Sequence, residues 1–289
     1  MHSPSDSASP VPLAALICER DATMAGITLP RLQSNVRDGG TFTIFEDGSL
    51  TEKSAETILS KLRNVRLIRR RELDEQVAES LRHRPNSRRY WTESPLALKL
   101  LGIPATLKFD FFFFDSDILT TKPFLLRPLA AKSATTFVFM QDIADGYSGR
   151  SVDLIFRHGL KPRSRLNSGI MAMPATGYDP DFIEWFLGVP EFRNFPFLLE
   201  QTCWSVMPRR HPVEYVDPRL IWCADDRREA DGQTMGIHYI QHTKSRLAGD
   251  AERFPDRPDL SAVELTSIVA PKFGVLRMAR NFTHRLFRR

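Results

Sequence analysis

Two carboxylates spaced i, i+2, Asp115 and Asp117, close an aromatic run that reads Phe109-Asp110-Phe111-Phe112-Phe113-Phe114. Converging carboxylates make a hard, anionic oxygen site that suits Mg²⁺ or Mn²⁺, and such an ion commonly arrives with phosphates. The spacing alone is weak, because the chain holds a second copy of it. Asp179-Pro180-Asp181 follows Gly177 and precedes an apolar helical stretch, so it reads as a turn and a helix start. The first pair differs in context. Four consecutive Phe cannot alternate between a wet and a dry face, so they read as a strand buried on both sides. The carboxyl end of such a strand is where open α/β sheets bind ligands.

Three later groups carry the chemistry further. Asn167-Ser168-Gly169 opens a strand-like run, with donors, acceptors and a glycine that lets a ligand approach the backbone. Glu200-Gln201 sits in the otherwise apolar stretch FPFLLEQTCWSVM and could face a cleft. His238 ends a late strand, with Lys244 six residues on. Histidine beside carboxylates favours Mn²⁺ over Mg²⁺, and lysine supplies a point charge for phosphate. Taken singly, each has a plainer reading: a turn, a solvent-facing polar pair, a satisfied strand histidine.

The elements that must position these groups alternate along the chain. Strands are expected at Leu13–Cys18, Thr41–Phe45, Val65–Ile68, the Phe run, Thr135–Met140, Asn167–Met173, Glu214–Asp217 and Gly236–Ile240. Helices are expected at Met24–Val36, interrupted by Pro30, at Thr51–Leu62 with Thr51 as cap, and at Glu72–Leu81, Thr92–Leu101, Phe182–Leu187 and Leu198–Val206. This order predicts a layered α/β sheet, mostly parallel. One domain over residues 13–262 is expected, between a Ser/Pro-rich lead-in at 1–12 and a basic tail at 263–289.

The chain has 289 residues with a net charge of +5, and its three cysteines form no C-x-x-C pair. That usage favours a reducing, cytoplasmic setting over a disulfide framework or a thiolate zinc site. The lead-in lacks the pattern of a secretory signal, and no apolar run is long enough for a membrane span. Arg277, Arg280, Arg285, Arg288 and Arg289 lie in a terminal segment without Asp or Glu, so the remainder is near neutral and a nucleic-acid partner is not expected. With Val275, Leu276, Ala279, Phe282 and Leu286 near one helical face, this tail reads as a peripheral contact for an anionic membrane surface, or as a helix packed on the domain.

In order, Asp115-x-Asp117, Asn167-Ser168-Gly169, Glu200-Gln201 and His238-x(5)-Lys244 resemble the motifs of GT-A fold glycosyltransferases. The closest likeness is to the retaining family of glycogenin and the bacterial lipopolysaccharide galactosyltransferases. Glu200 stands where that family has Asp, Gln241 where it has Gly, and Ser245-Arg246 where it has Pro-Trp. The resemblance implies a Rossmann-like GT-A fold, with a mostly parallel mixed central sheet covered by helices on both faces. It further implies a nucleoside-diphosphate-sugar donor, of the UDP-sugar type, an unidentified acceptor, and Mn²⁺ or Mg²⁺ held by Asp115, Asp117 and His238. Asp115, Lys244, Ser168 and Gly169 would then meet the donor, Gln201 would face the reacting sugar carbon, and Asn167 and Glu200 would orient its hydroxyls. The base would lie near Glu19-Arg20-Asp21. A sugar nucleotidyltransferase and a non-catalytic glycosyltransferase-like scaffold are the alternatives. The first generally needs a Gly-rich basic loop after the first strand, where this chain has Cys18-Glu19-Arg20-Asp21.

Overall fold

A parallel β-α-β progression organises the first third of the chain. Strand β1 (Val11–Ile17) leads through α1 (Ala22–Asn35) to β2 (Gly39–Glu46), α2 (Glu52–Leu59) and β3 (Val65–Ile68), followed by α3 (Arg70–Leu81) and α4 (Pro85–Glu93). A π-helical turn at Leu98–Gly102 runs into α5 (Ile103–Leu107) and then β4 (Phe112–Asp115). Short strands β5 (Ile118–Thr120) and β6 (Phe124–Leu125) precede α6 (Arg127–Ser133), β7 (Phe137–Gln141), β8 (Leu166–Ala172) and α7 (Pro180–Gly188). The chain continues with α8 (Leu199–Val206), β9 (Val213–Val216), β10 (Ile221–Cys223), β11 (Gly236–His238), α9 (Leu247–Arg253), β12 (Val263–Glu264) and β13 (Ser267–Val269). The computed structural model describes residues 9–108, 111–225, 228–255 and 259–273.

Eight strands form the central sheet in the order β13-β9-β7-β8-β4-β1-β2-β3. Pairing is parallel from β4 through β1 and β2 to β3, and between β7 and β9. Strand β8 runs antiparallel to both β4 and β7. The expected mostly parallel α/β architecture is therefore the one observed. The Phe run sits beside the sheet centre, as its composition demanded. Phe111 and Phe113 enter the core under α3, α4, α7 and α8, whereas Phe112 and Phe114 enter the opposite core under α1, α2 and α6. Each buried Phe contributes about 1.5–3 kcal/mol of transfer free energy, so this strand anchors the fold. Phe109 and Asp110 lie outside the described residues.

Local chemistry explains most boundaries. Thr51 caps α2 by accepting from the Ser54 N–H at 3.2 Å. Asp179 caps α7, its carboxylate accepting from the Phe182 N–H at 2.8 Å, and Asp181 pairs with Arg84. The second D-x-D is thus a helix start. Two expectations fail. Helix α1 is continuous through Pro30, and the Gly26 carbonyl, left without a proline N–H to accept from, accepts from Lys61 Nζ at 3.2 Å. The helix expected over Thr92–Leu101 is broken, because Ser94 takes the extended conformation that a following proline imposes. At the ends, Val11 and Pro12 already belong to β1. Strands β12 and β13 pair with β6 and β9, so residues 263–264 and 267–269, read as the start of the tail, lie in the sheets. Residues 274–289, with the basic amphipathic stretch, lie outside the described residues. Among the described residues no helix is long and apolar enough to cross a membrane.

Candidate active site

Strand β4 delivers Asp115 to its carboxyl end, and the turn into β5 places Asp117 beside it. Thr28 of α1 pins this turn by donating to the Ser116 carbonyl at 2.6 Å. Strand β5 then pairs antiparallel with β11, setting His238 opposite Ile118, while the Tyr239 N–H donates to the Asp117 carbonyl at 3.0 Å. Two backbone registers thus bring the late histidine to the early carboxylates. His238 Nε2 lies 3.0 Å from Asp117 Oδ1 and 3.7 Å from Asp115 Oδ2. One donor atom from each of the three residues falls within 4.8 Å of the others. Asp117 Oδ1 is buried, with the His238 ring at 3.0 Å as its neighbour. Two carboxylates and an imidazole are the donor set that Mn²⁺ accepts readily, so these residues fit the implied metal.

Charges around the trio are densely compensated. Lys99, 3 % exposed, directs Nζ to Asp115 at 3.0 and 3.2 Å and to Ser168 Oγ at 3.2 Å. Ser168 donates in turn to Glu200 Oε2 at 3.0 Å, and Glu200 Oε1 is buried without a partner. Lys244 Nζ lies 3.0 Å from Asp117 Oδ2 and 3.1 Å from Asp21 Oδ2. Burial opposes ionisation of Asp117, but His238 and Lys244 outweigh it and hold the carboxyl well below the usual carboxylate range. Burial disfavours the imidazolium of His238, yet the facing Asp117 raises the ring well above its ordinary value. Burial pushes Asp115 and Glu200 up, with Lys99 opposing the rise in both. The four carboxylates Asp21, Asp115, Asp117 and Glu200 thus meet Lys99, Lys244 and the His238 ring, with Arg20 at Asp21.

A bulge in the β7–β8 ladder shapes the strand opposite. Register passes from Met140↔Asn167 to Phe139↔Met171, leaving Ser168, Gly169 and Ile170 unopposed on β7. Asn167 donates to Asp142 at 3.0 Å and accepts from the Gly169 N–H at 2.8 Å. Gly169 also has a packing reason: a Cβ there would stand 2.6 Å from His238 Cε1 and 2.7 Å from its Nδ1, so the glycine makes room for the imidazole ring. Gln201 is half-buried on α8 beside the fully buried Glu200, so this pair does not project together into solvent. Gln241 has φ 45°, the left-handed region that favours glycine. The backbone at this position is thus in the conformation that Gly adopts without strain.

Asp115 and Asp117 lie where two pockets meet, and His238 lines the larger of them. One, ≈ 420 Å³, runs past Cys18, Arg20, Asp47 and Ser49. The other, ≈ 790 Å³, holds Asn167, Ser168, Glu200, Gln201 and the exposed Phe197. Asp115, Asp117, Lys99 and Lys244 line both. Of the zone Glu19-Arg20-Asp21, Glu19 also organises the start of α2, accepting from the Thr51 N–H and Ser54 Oγ at 2.8 Å. The sequence reading missed Lys99, Asp142 and Cys223. A lone lysine inside the apolar run LALKLLGI was the available signal for the first. Asp142 and Cys223 gave none, because only the packing of β7, β8, β10 and β11 brings them in.

No protein-family model matches the chain, and no curated protein matches it by sequence. Solved structures do match. The galactosyltransferase LgtC in complex with donor and acceptor sugar analogues superposes with TM-score 0.52 at 13 % identity, over 86 % of this chain and 98 % of LgtC. An active-site variant of LgtC gives 0.51 at 15 % identity, over 83 % and 95 %. The bifunctional glycosyltransferase WbbM gives 0.56 at 12 % identity, over 88 % of this chain and 51 % of WbbM. Strand order, the antiparallel β8 and this superposition agree: the chain has the GT-A glycosyltransferase fold.

Proposed function

We propose that the protein is a metal-dependent glycosyltransferase that uses a nucleoside-diphosphate sugar, of the UDP-sugar type, and transfers the sugar with retention. The observation that carries this reading is the cluster of Asp115, Asp117 and His238, with Lys244 beside it, at the junction of two pockets. Nucleoside and sugar are the two halves of such a donor, and the diphosphate joins them. The pocket past Arg20 and Asp47 would take the nucleoside, and the larger one the sugar and its acceptor. Asp115, Asp117 and His238 would hold a divalent ion, which would supply positive charge against the diphosphate. Lys244 adds a second cation on the same side, where negative charge develops. Lys99 keeps Asp115 in place for that role. On the far side, the Gln201 side-chain carbonyl is the group assigned to the electron-poor sugar carbon. Asn167 and Glu200 would accept hydrogen bonds from sugar hydroxyls, and Glu200 Oε1 has an acceptor to spare.

Thermal unfolding with a panel of nucleoside diphosphates and their sugars, with and without Mn²⁺, tests this. A ligand at a hundred times its Kd stabilises by about 2.7 kcal/mol, or roughly 5–10 °C in a domain of this class. One nucleotide series should shift the midpoint, more with Mn²⁺, and Asp117→Asn should remove the metal-dependent part. No shift with any nucleotide would favour a non-catalytic scaffold.

A further inference from the structure

Cys223 and His238 are direct partners in the β10–β11 ladder, so parallel pairing sets their side chains next to each other. Cys223 Sγ lies 3.7 Å from His238 Nδ1, the ring nitrogen that faces away from the carboxylates. The same sulfur donates to the Gln141 carbonyl oxygen at 3.6 Å. Both side chains are buried, 3 % and 4 % exposed, so water does not substitute for either contact. A carbonyl oxygen only accepts, so the thiol proton goes to Gln141 and the sulfur is left as acceptor. The Nδ1 proton then points at sulfur. In the free site Nε2 faces Asp117 at 3.0 Å; when a cation takes the place of the proton there, the ring keeps its proton on Nδ1 and turns the Nε2 lone pair toward the space between Asp115 and Asp117. Gly169 closes the other side, because its Cα lies close under the ring and a Cβ would collide with Cε1 and Nδ1.

Resting on the metal reading above, we infer that Cys223 is a positioning residue that holds His238 as the Nδ1–H tautomer, with Nε2 presented for metal ligation. Partners on the outer nitrogen of a ligating histidine fix both ring orientation and tautomer, and losing one typically costs about 10–100-fold in metal affinity. The chain Gln141 O···Sγ···Nδ1 does this with a thiol.

Mn²⁺ titration of the purified full chain, following the free-ion signal by electron paramagnetic resonance, tests the assignment without a substrate. Cys223→Ala should weaken Mn²⁺ binding by at least tenfold. Cys223→Ser, whose hydroxyl also donates to a carbonyl and accepts from Nδ1–H, should recover most of the loss. Thermal unfolding of the two variants controls for packing. Pulsed measurement of the imidazole-nitrogen coupling on bound Mn²⁺ gives a second readout, sharp in the wild type and broadened or lost in the alanine variant. Wild-type affinity and an unchanged nitrogen coupling in Cys223→Ala would overturn the role of Cys223. An alanine-like loss in Cys223→Ser would do the same. If His238→Ala and Asp117→Asn bind Mn²⁺ like the wild type, the metal site itself is wrong, and that result is distinct from either failure of Cys223.

Discussion

Replacing Lys99 by methionine removes one charge and little volume from the most enclosed part of the site. The wild-type ammonium contacts both oxygens of Asp115 and Ser168 Oγ, and lies 4.9 Å from the centre of the Phe113 ring. Breaking a buried pair by removing one partner costs about 3–5 kcal/mol, because a charge is left uncompensated. The Asp115 side chain is 25 % exposed to the cleft, which places this case at the lower end, about 3 kcal/mol. For a chain of this size that corresponds to roughly 6 °C in the unfolding midpoint.

The loss should depend on pH, and its sign follows from linkage. Burial raises Asp115 above its ordinary value, with Lys99 opposing the rise. Between the unfolded and folded values the folded chain binds more protons than the unfolded chain, so stability falls as pH increases through that window. Deleting Lys99 extends the window upward. Glu200, also raised by burial and opposed by Lys99, acts in the same direction. The gap between wild type and Lys99→Met should therefore be small near pH 4 and widen toward pH 8. Urea unfolding of both proteins at several pH values measures it. A gap of the same size at every pH, or no gap, would show that Lys99 is not the charge that supports Asp115.

Gly169→Ala should cost about 1–3 kcal/mol from overpacking and displace the His238 ring, so Mn²⁺ affinity falls together with the melting temperature; retained affinity would mean that the ring has room to move. Gln241→Gly should leave stability unchanged or raise it by up to about 1 kcal/mol, because it relieves a positive φ; a clear loss in chemical denaturation would show that the Gln side chain contributes more than the strain costs. Removing residues 274–289 should reduce flotation with anionic liposomes, since those five arginines offer about 1 kcal/mol each at a charged surface; equal flotation without them would reject the tail as the contact.

What the sequence disclosed and what it withheld divide along the range of the forces involved. The Phe run was legible because burial on both faces is a property of one strand, and Phe111 to Phe114 do alternate between two cores. The Thr51 and Asp179 caps were legible because a cap is a contact within a single turn. Motif order reached further and placed Asp115, Asp117, His238 and Lys244 in one cluster, although 121 residues separate Asp117 from His238. The support of those groups was not legible. Lys99 meets Ser168 across 69 positions, and Lys244 meets Asp21 across 223. Cys223 reaches His238 only because two three-residue strands align in parallel, and three residues carry no readable period. Gly169 shows the difference most directly. Its presence was legible, but its packing reason was not, because the atom that needs the space belongs to a histidine 69 positions on, in another sheet. The cluster is therefore specified twice. Local motifs choose its residues, and long-range pairing chooses the groups that surround each of them.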